Sequence, residues 1–139
     1  MENRAILIIT HGMFGVELVK SAEMIMGPQE DVTALSLNPG ESVESLRNEA
    51  IAAVENYQNE GRKVYVLCDL LGGSPSNVAL YLLSKGVEKI FTGVNMPMLI
   101  EMLTFYKTME DSDELLKTVQ NTSNEGIQLL DINFLKGGI

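Results

Sequence analysis

The sequence predicts a doubly wound α/β domain, with an open, mostly parallel sheet of four strands and helices on both faces. Three observations predict it. Short, continuously apolar, β-branched runs at 5–9 and 64–68 have the character of strands buried on both faces. Segments with apolar residues three and four apart follow them, and Gly, Pro and Asn punctuate the junctions. The strand and helix patterns alternate through four units, which favours right-handed crossovers and a parallel sheet. The 139 residues suit a single domain over 1–139.

The first strand is expected over about 4–10, with Gly12 closing it after Thr10 and His11. Leu18, Val19, Ala22, Ile25 and Met26 then mark one face of a helix over 14–26, stopped by Gly27-Pro28. A second strand at 32–37 ends at Asn38-Pro39-Gly40, and Ser42 offers an N-cap to the helix that follows. The third strand, 64–68, runs into a loop at 70–77 and a helix carried by Val78, Ala79, Leu82 and Leu83, which Gly86 ends. A fourth strand is expected at 90–94, a helix from Pro97, and a further helix over about 112–123. Residues 130–134 alternate apolar and polar, the pattern of an antiparallel edge strand with one solvated face. The acidic run Glu110, Asp111, Asp113, Glu114 reads as a capped helix start, and Met98 and Met102 read as core fillers.

Composition narrows the function. Hydrophobic residues make up 45% and charged residues 21%, which excludes a disordered or fibrous chain. Ten Lys and Arg against nineteen Asp and Glu leave a net charge of -9, so a nucleic acid is repelled on average. The single cysteine, Cys68, allows neither an intrachain disulfide nor a cysteine metal cluster, and suits a reducing compartment. The single histidine, His11, excludes chemistry that needs two imidazoles, most zinc sites included. No apolar run approaches the roughly 18–20 residues of a membrane span. Met1-Glu2-Asn3-Arg4 does not open as a signal peptide does, so a cytoplasmic location is expected.

In open α/β sheets, ligands bind beyond the carboxyl ends of the strands where strand order reverses. In the flavodoxin-like order 2-1-3-4, the ends of the first and third strands flank that point. They carry Thr10-His11-Gly12 and Asp69-Leu70-Leu71-Gly72-Gly73-Ser74-Pro75. An aspartate that accepts from imidazole Nδ1 leaves the Nε2 lone pair outward as a nucleophile and steadies the cation formed on attack. Such a histidine can take a phosphoryl group. Gly72, Gly73 and Ser74 before a helix would supply close backbone N–H groups, a hydroxyl and the helix's positive end to the arriving oxygens. Taken singly, a histidine such as His11 is more often a capping or hydrogen-bonded residue and a Gly-Gly-Ser-Pro run more often a turn, and Asp69 reads equally as a loop or N-cap acid. Their conjunction at two adjacent strand ends points to a His/Asp phosphate site.

These residues resemble the IIA component of the mannose/fructose/sorbose class of the bacterial phosphoenolpyruvate-dependent sugar phosphotransferase system. The resemblance rests on Ile9-Thr10-His11-Gly12, Asn38-Pro39-Gly40-Glu41, the block from Asp69 to Asn77, and Gly93-Val94-Asn95-Met96-Pro97-Met98-Leu99. It covers roughly 4–105 in order and spacing, and the Asp-x-x-Gly-Gly-Ser-Pro-x-Asn block is its most specific part. It implies that His11 is phosphorylated, Asp69 orients it and Ser74 contacts the phosphate. It also implies a relay: the phosphocarrier protein HPr donates to His11, the IIB component receives, and the membrane IIC and IID components couple the group to sugar uptake. No metal or organic cofactor is implied, and the next step of the relay is expected on another chain. The family forms homodimers that exchange the C-terminal strand, which 127–134 would supply here.

Rival readings lack residues they need. A receiver domain needs an acidic pair after the first strand, where Thr10-His11-Gly12 stands. A flavodoxin-like binding module needs hydroxyls in the segment Gly12-Met13-Phe14-Gly15, and a Rossmann domain needs G-x-G-x-x-G. A histidine phosphatase needs a second histidine, and a serine hydrolase needs the last glycine of the nucleophile elbow. The nearest alternative is the phosphodonor subunit for dihydroxyacetone kinase, of the same superfamily, whose histidine segment usually reads His-Ser.

Overall fold

The apolar run after Arg4 forms β1 (Arg4–His11), buried over its first seven residues, in the computed structural model, which describes residues 3–137. A strand covered on both faces must lie inside the sheet, and β1 does. It pairs in parallel with β2 (Val32–Leu37) on one side and β3 (Lys63–Cys68) on the other, and β3 pairs in parallel with β4 (Lys89–Phe91). The order is β2-β1-β3-β4, as expected. The register sets His11 opposite Leu37 and Ile9 opposite Cys68, so β1 runs past the end of β3.

Helices α1 (Phe14–Met26), α2 (Val43–Asn59), α3 (Ser74–Leu82), α4 (Met96–Phe105), α5 (Ser112–Glu125) and α6 (Ile132–Lys136) follow in order. Side chains alternate along a strand, so the buried strands feed two cores. Ile6, Ile8, Tyr65 and Leu67 pack under α1, α4 and α5 against Ala22, Leu99, Met102, Leu115 and Val119. Leu7, Ile9, Val64 and Val66 pack on the other face under α2 and α3 against Leu46, Ala50, Val54, Val78 and Leu82. Each large aliphatic so buried contributes up to about 1.5–3 kcal/mol.

The expected punctuation is present. Ser42 Oγ accepts from Ser45 N–H at 3.0 Å, and Asp111 caps α5 by accepting from Asp113 and Glu114 N–H. Met98 and Met102 are buried in the core. No helix among the described residues is long and apolar enough to cross a membrane.

Three boundaries differ from expectation. Helix α3 begins at Ser74, inside the expected loop, because Pro75 in the first turn costs no hydrogen bond and presets φ. Strand β4 stops at Phe91 because Gly93, at φ 74, turns the chain, and Asn95 then caps α4 by accepting from Met98 N–H at 2.8 Å. The third difference is a correction. Residues 130–134 form no edge strand, and the four-stranded sheet is wholly parallel. A strand needs a neighbour, and beyond α5 this segment finds none among the described residues. Its backbone closes local bonds instead: Asp131 Oδ1 accepts from Asn133 N–H at 2.9 Å, and the residues after it coil into α6.

Candidate active site

The site lies at the carboxyl end of the sheet, where the two expected strand ends meet. Thr10 is buried and its hydroxyl turns back to cap α1, accepting from Gly15 N–H at 2.9 Å. Gly12, at φ 55, donates its N–H to Leu37 O at 2.8 Å. Between these two anchors the alternation of β1 sends the His11 side chain out of the sheet, half exposed at 50%.

Asp69 follows the last residue of β3 and faces His11, with only 12% of its side chain exposed. One carboxylate oxygen, Oδ2, receives both the His11 backbone N–H at 2.9 Å and the ring Nδ1 at 2.8 Å, while Oδ1 receives Leu70 N–H at 2.9 Å. Burial favours the neutral carboxyl, but the His11 and Leu70 hydrogen bonds outweigh it and hold Asp69 below its usual 3.8. An ionised carboxylate can only accept, so Nδ1 carries the proton and the neutral ring keeps its lone pair on Nε2. Burial, helped by the Asp69 charge, pushes the adjacent Cys68 thiol up to about 11, which leaves it inert.

The ring's other side meets the Gly72-Gly73 turn. An ideal β-carbon on Gly73 would stand 2.7 Å from His11 Cε1 and 3.2 Å from Nε2, so the absent side chain is what admits the imidazole. Gly72 holds φ 106, a conformation that side chains rarely adopt. Gly73 is the N-cap of α3 and offers no side chain to its N-terminus, so the first N–H groups there remain open to an anion. Beside His11 a cleft of about 550 Å³ opens between Gly12 and the turn of Leu37, Asn38, Pro39 and Glu41. Asn38 Nδ2 donates to Glu41 Oε1 at 2.7 Å and ties that turn. Among the described residues no group of three or more His, Cys, Asp or Glu side chains is placed to hold a metal ion.

A family model described as the PTS system fructose IIA component matches residues 5–120. The chain belongs to the mannose/fructose/sorbose IIA family of the sugar phosphotransferase system. The mannose-specific EIIAB component of Escherichia coli (strain K12) is 36% identical over 127 residues, 91% of this chain. This IIA chain spans 39% of the length of that relative. The fructose-specific EIIA component of Bacillus subtilis (strain 168) is 28% identical over 126 residues, 90% of this chain and 85% of that one. The crystal structure of EIIA from Streptococcus agalactiae matches with a TM-score of 0.79 at 32% identity, covering 94% of this chain and 98% of that one. The mannose/sorbose specific IIA subunit from Enterococcus faecalis, at 24% identity, shares the fold with a TM-score of 0.84 over 95% of this chain and 97% of that one.

In this IIA chain His11 and Asp69 are in direct contact, the ring lies where a Gly73 side chain would begin, and Gly72 and Ser74 flank Gly73 at the start of α3. Two further residues build the site and were not singled out from the sequence. Thr10 anchors the turn behind His11, and Ser76 bonds to the Gly72-Gly73 turn. The available signal was a hydroxyl residue a few positions from a glycine at a helix start, which is a local capping pattern.

Proposed function

We propose that this chain is a phosphoryl relay, in which His11 Nε2 accepts a phosphoryl group from phosphorylated HPr and passes it to the IIB component. The pairing of His11 Nδ1 with Asp69 Oδ2 at 2.8 Å, on a half-exposed ring, carries this reading. On acceptance, the Nε2 lone pair forms a bond to phosphorus as the donor's N–P bond breaks and its electron pair returns to the donor. The proton stays on Nδ1, and the Asp69 charge steadies the cationic ring. Gly72, Gly73 and Ser74 would supply backbone N–H groups, the Ser74 hydroxyl and the positive end of α3 to the phosphoryl oxygens. Donation to IIB is the same displacement in reverse, and positioning with charge stabilisation supplies its catalysis without a cofactor. Membrane IIC and IID components would then couple the group to sugar entry, which places this chain on the cytoplasmic side.

We also propose a homodimer. The open edge of β4 adjoins a groove of about 380 Å³ lined by Ile90, Phe91, Leu116 and Lys117. The segment after α5 is apolar and uncovered, with Ile127 78% and Leu129 102% exposed, as a segment that pairs with a second copy would be. Light scattering at micromolar concentration should give twice the chain mass, and a monomer would remove the proposal.

The relay is tested with phosphoenolpyruvate, enzyme I and HPr. The expected product carries one acid-labile, alkali-stable phosphate on His11. Label retained after His11→Ala would overturn the assignment.

A further inference from the structure

The turn beside His11 is held from behind by Ser76. This side chain is inside α3, 1% exposed, and its hydroxyl faces the two glycines. Oγ accepts from Gly72 N–H at 2.9 Å and donates to Gly73 C=O at 2.8 Å. Gly73 C=O also accepts the first helical N–H, from Asn77, at 3.0 Å. A trans peptide sets its C=O and N–H in opposite directions. Fixing the Gly73 carbonyl towards the helix therefore fixes the Ser74 N–H away from it, out of the N-terminus of α3. The preceding turn is pinned through the Gly72 N–H. Two consecutive glycines have more backbone freedom to lose than any other pair. The Ser76 hydroxyl removes that freedom at the turn that His11 Nε2 faces.

We propose that Ser76 is a positioning residue for the phosphoryl group: through Gly72 and Gly73 it holds the Ser74 N–H in the orientation that meets the oxygens on His11 Nε2. This rests on the reading of His11 as the phosphoryl acceptor. Donors already aimed at the arriving charge need no reorganisation at the moment of transfer. The Ser76 hydroxyl spends its hydrogen bonds on Gly72 and Gly73 rather than on the ring, so it acts through the turn.

The test labels the chain without a protein donor. Phosphoramidate transfers its phosphoryl group to an imidazole nitrogen, forming the N–P bond as its own P–N bond breaks and ammonia departs. Labelling rate is followed together with the amide shift of Ser74 on phosphorylation. Ser76→Ala should label about tenfold more slowly, less than the roughly hundredfold expected for losing a whole donor, and its Ser74 amide should no longer move. Ser76→Thr, which restores a hydroxyl, should recover both. In Ser76→Ala, labelling at the original rate together with a Ser74 amide that still moves on phosphorylation as in the unsubstituted chain would overturn the proposal. A measurement on the unsubstituted chain guards against misfolding of the variant: Gly72 N–H should exchange slowly with deuterium, and exchange at the rate of a free loop amide would overturn the proposal equally. If HPr fails to label His11 while phosphoramidate labels it normally, the relay falls and the role of Ser76 stands.

Discussion

The imidazole of His11 fills the space that a β-carbon on Gly73 would occupy, 2.7 Å from Cε1. The backbone of Gly73, at φ -97, is one that alanine adopts freely, so Gly73→Ala should fold. Its methyl group must displace the ring, and a displaced ring loses the 2.8 Å contact with Asp69. A misplacement of about 1 Å at a reacting centre costs on the order of a hundredfold in rate. Transfer from HPr should fall by about that factor while the thermal midpoint stays within a few degrees. Transfer at the original rate would show that the ring is not confined by this contact.

Gly72 gives the opposite prediction. A β-carbon there meets nothing within 4 Å, but φ is 106. Gly72→Ala should therefore destabilise the chain by about 1–3 kcal/mol through backbone strain, read as a lower urea midpoint. An unchanged midpoint would show that the turn adopts another conformation.

The strand order and the meeting of His11 with Asp69 were legible because both follow from burial. A run as apolar as 5–9 must lie inside a parallel sheet, and a parallel sheet gathers its strand ends on one side. The start of α3 was not legible, since Gly-Gly-Ser-Pro serves as a turn and as a helix N-terminus, and Ser76 Oγ, bonded to Gly72 N–H and Gly73 C=O, joins the two. The alternation over 130–134 misled for a different reason. A five-residue apolar pattern fixes which side chains share a face, whereas pairing depends on an edge the local sequence does not encode. In its place the Asp131 side chain closes a cap, and a short helix follows.

Asp69 should make stability depend on pH with a definite sign. Its carboxyl is held below the usual 3.8 in the folded chain, chiefly by N–H groups of His11 that overcome its burial. As pH falls through the unfolded value, the unfolded chain takes up the proton first and gains relative to the folded one. The stabilisation is thus complete above the unfolded value and disappears as pH falls through the lower folded one. The gap in urea midpoint between the unsubstituted chain and Asp69→Asn should hold from neutral pH down to about pH 5 and narrow below 3.8. A gap independent of pH would mean that the carboxylate charge contributes nothing to the fold. At neutral pH the same variant should transfer phosphate at least about tenfold more slowly, because an amide does not steady the cationic ring.

Arg4 opens β1 at the end opposite His11, and its guanidinium is fully buried and forms no ion pair with a carboxylate among the described residues. It donates to Tyr106 O at 3.1 Å, Met109 O, Glu110 O at 3.1 Å and Ser112 Oγ at 3.0 Å. The Tyr106 carbonyl is at the C-cap of α4, where the helix dipole is negative, and the Met109 and Glu110 carbonyls belong to the connection between α4 and α5, so one cation gathers the end of the helix and the loop that leaves it. Tyr65 on β3 donates to the same Ser112 hydroxyl at 3.2 Å, which ties the α4–α5 connection to two central strands. Arg4→Met would leave the Tyr106 carbonyl buried without this donor and should destabilise by about 1–3 kcal/mol, the cost of an unsatisfied buried polar group. Arg4→Lys should recover only part of this, because a single ammonium cannot reach the acceptors that a planar fork spans. Arg4 and His11 are the two ends of the eight-residue β1, about 23 Å apart along the strand. The rate of phosphoryl transfer per folded molecule should therefore be unchanged in both variants, measured at a temperature where each is still folded. A slower rate in the folded fraction would mean that the α4–α5 connection is coupled through β1 to the site.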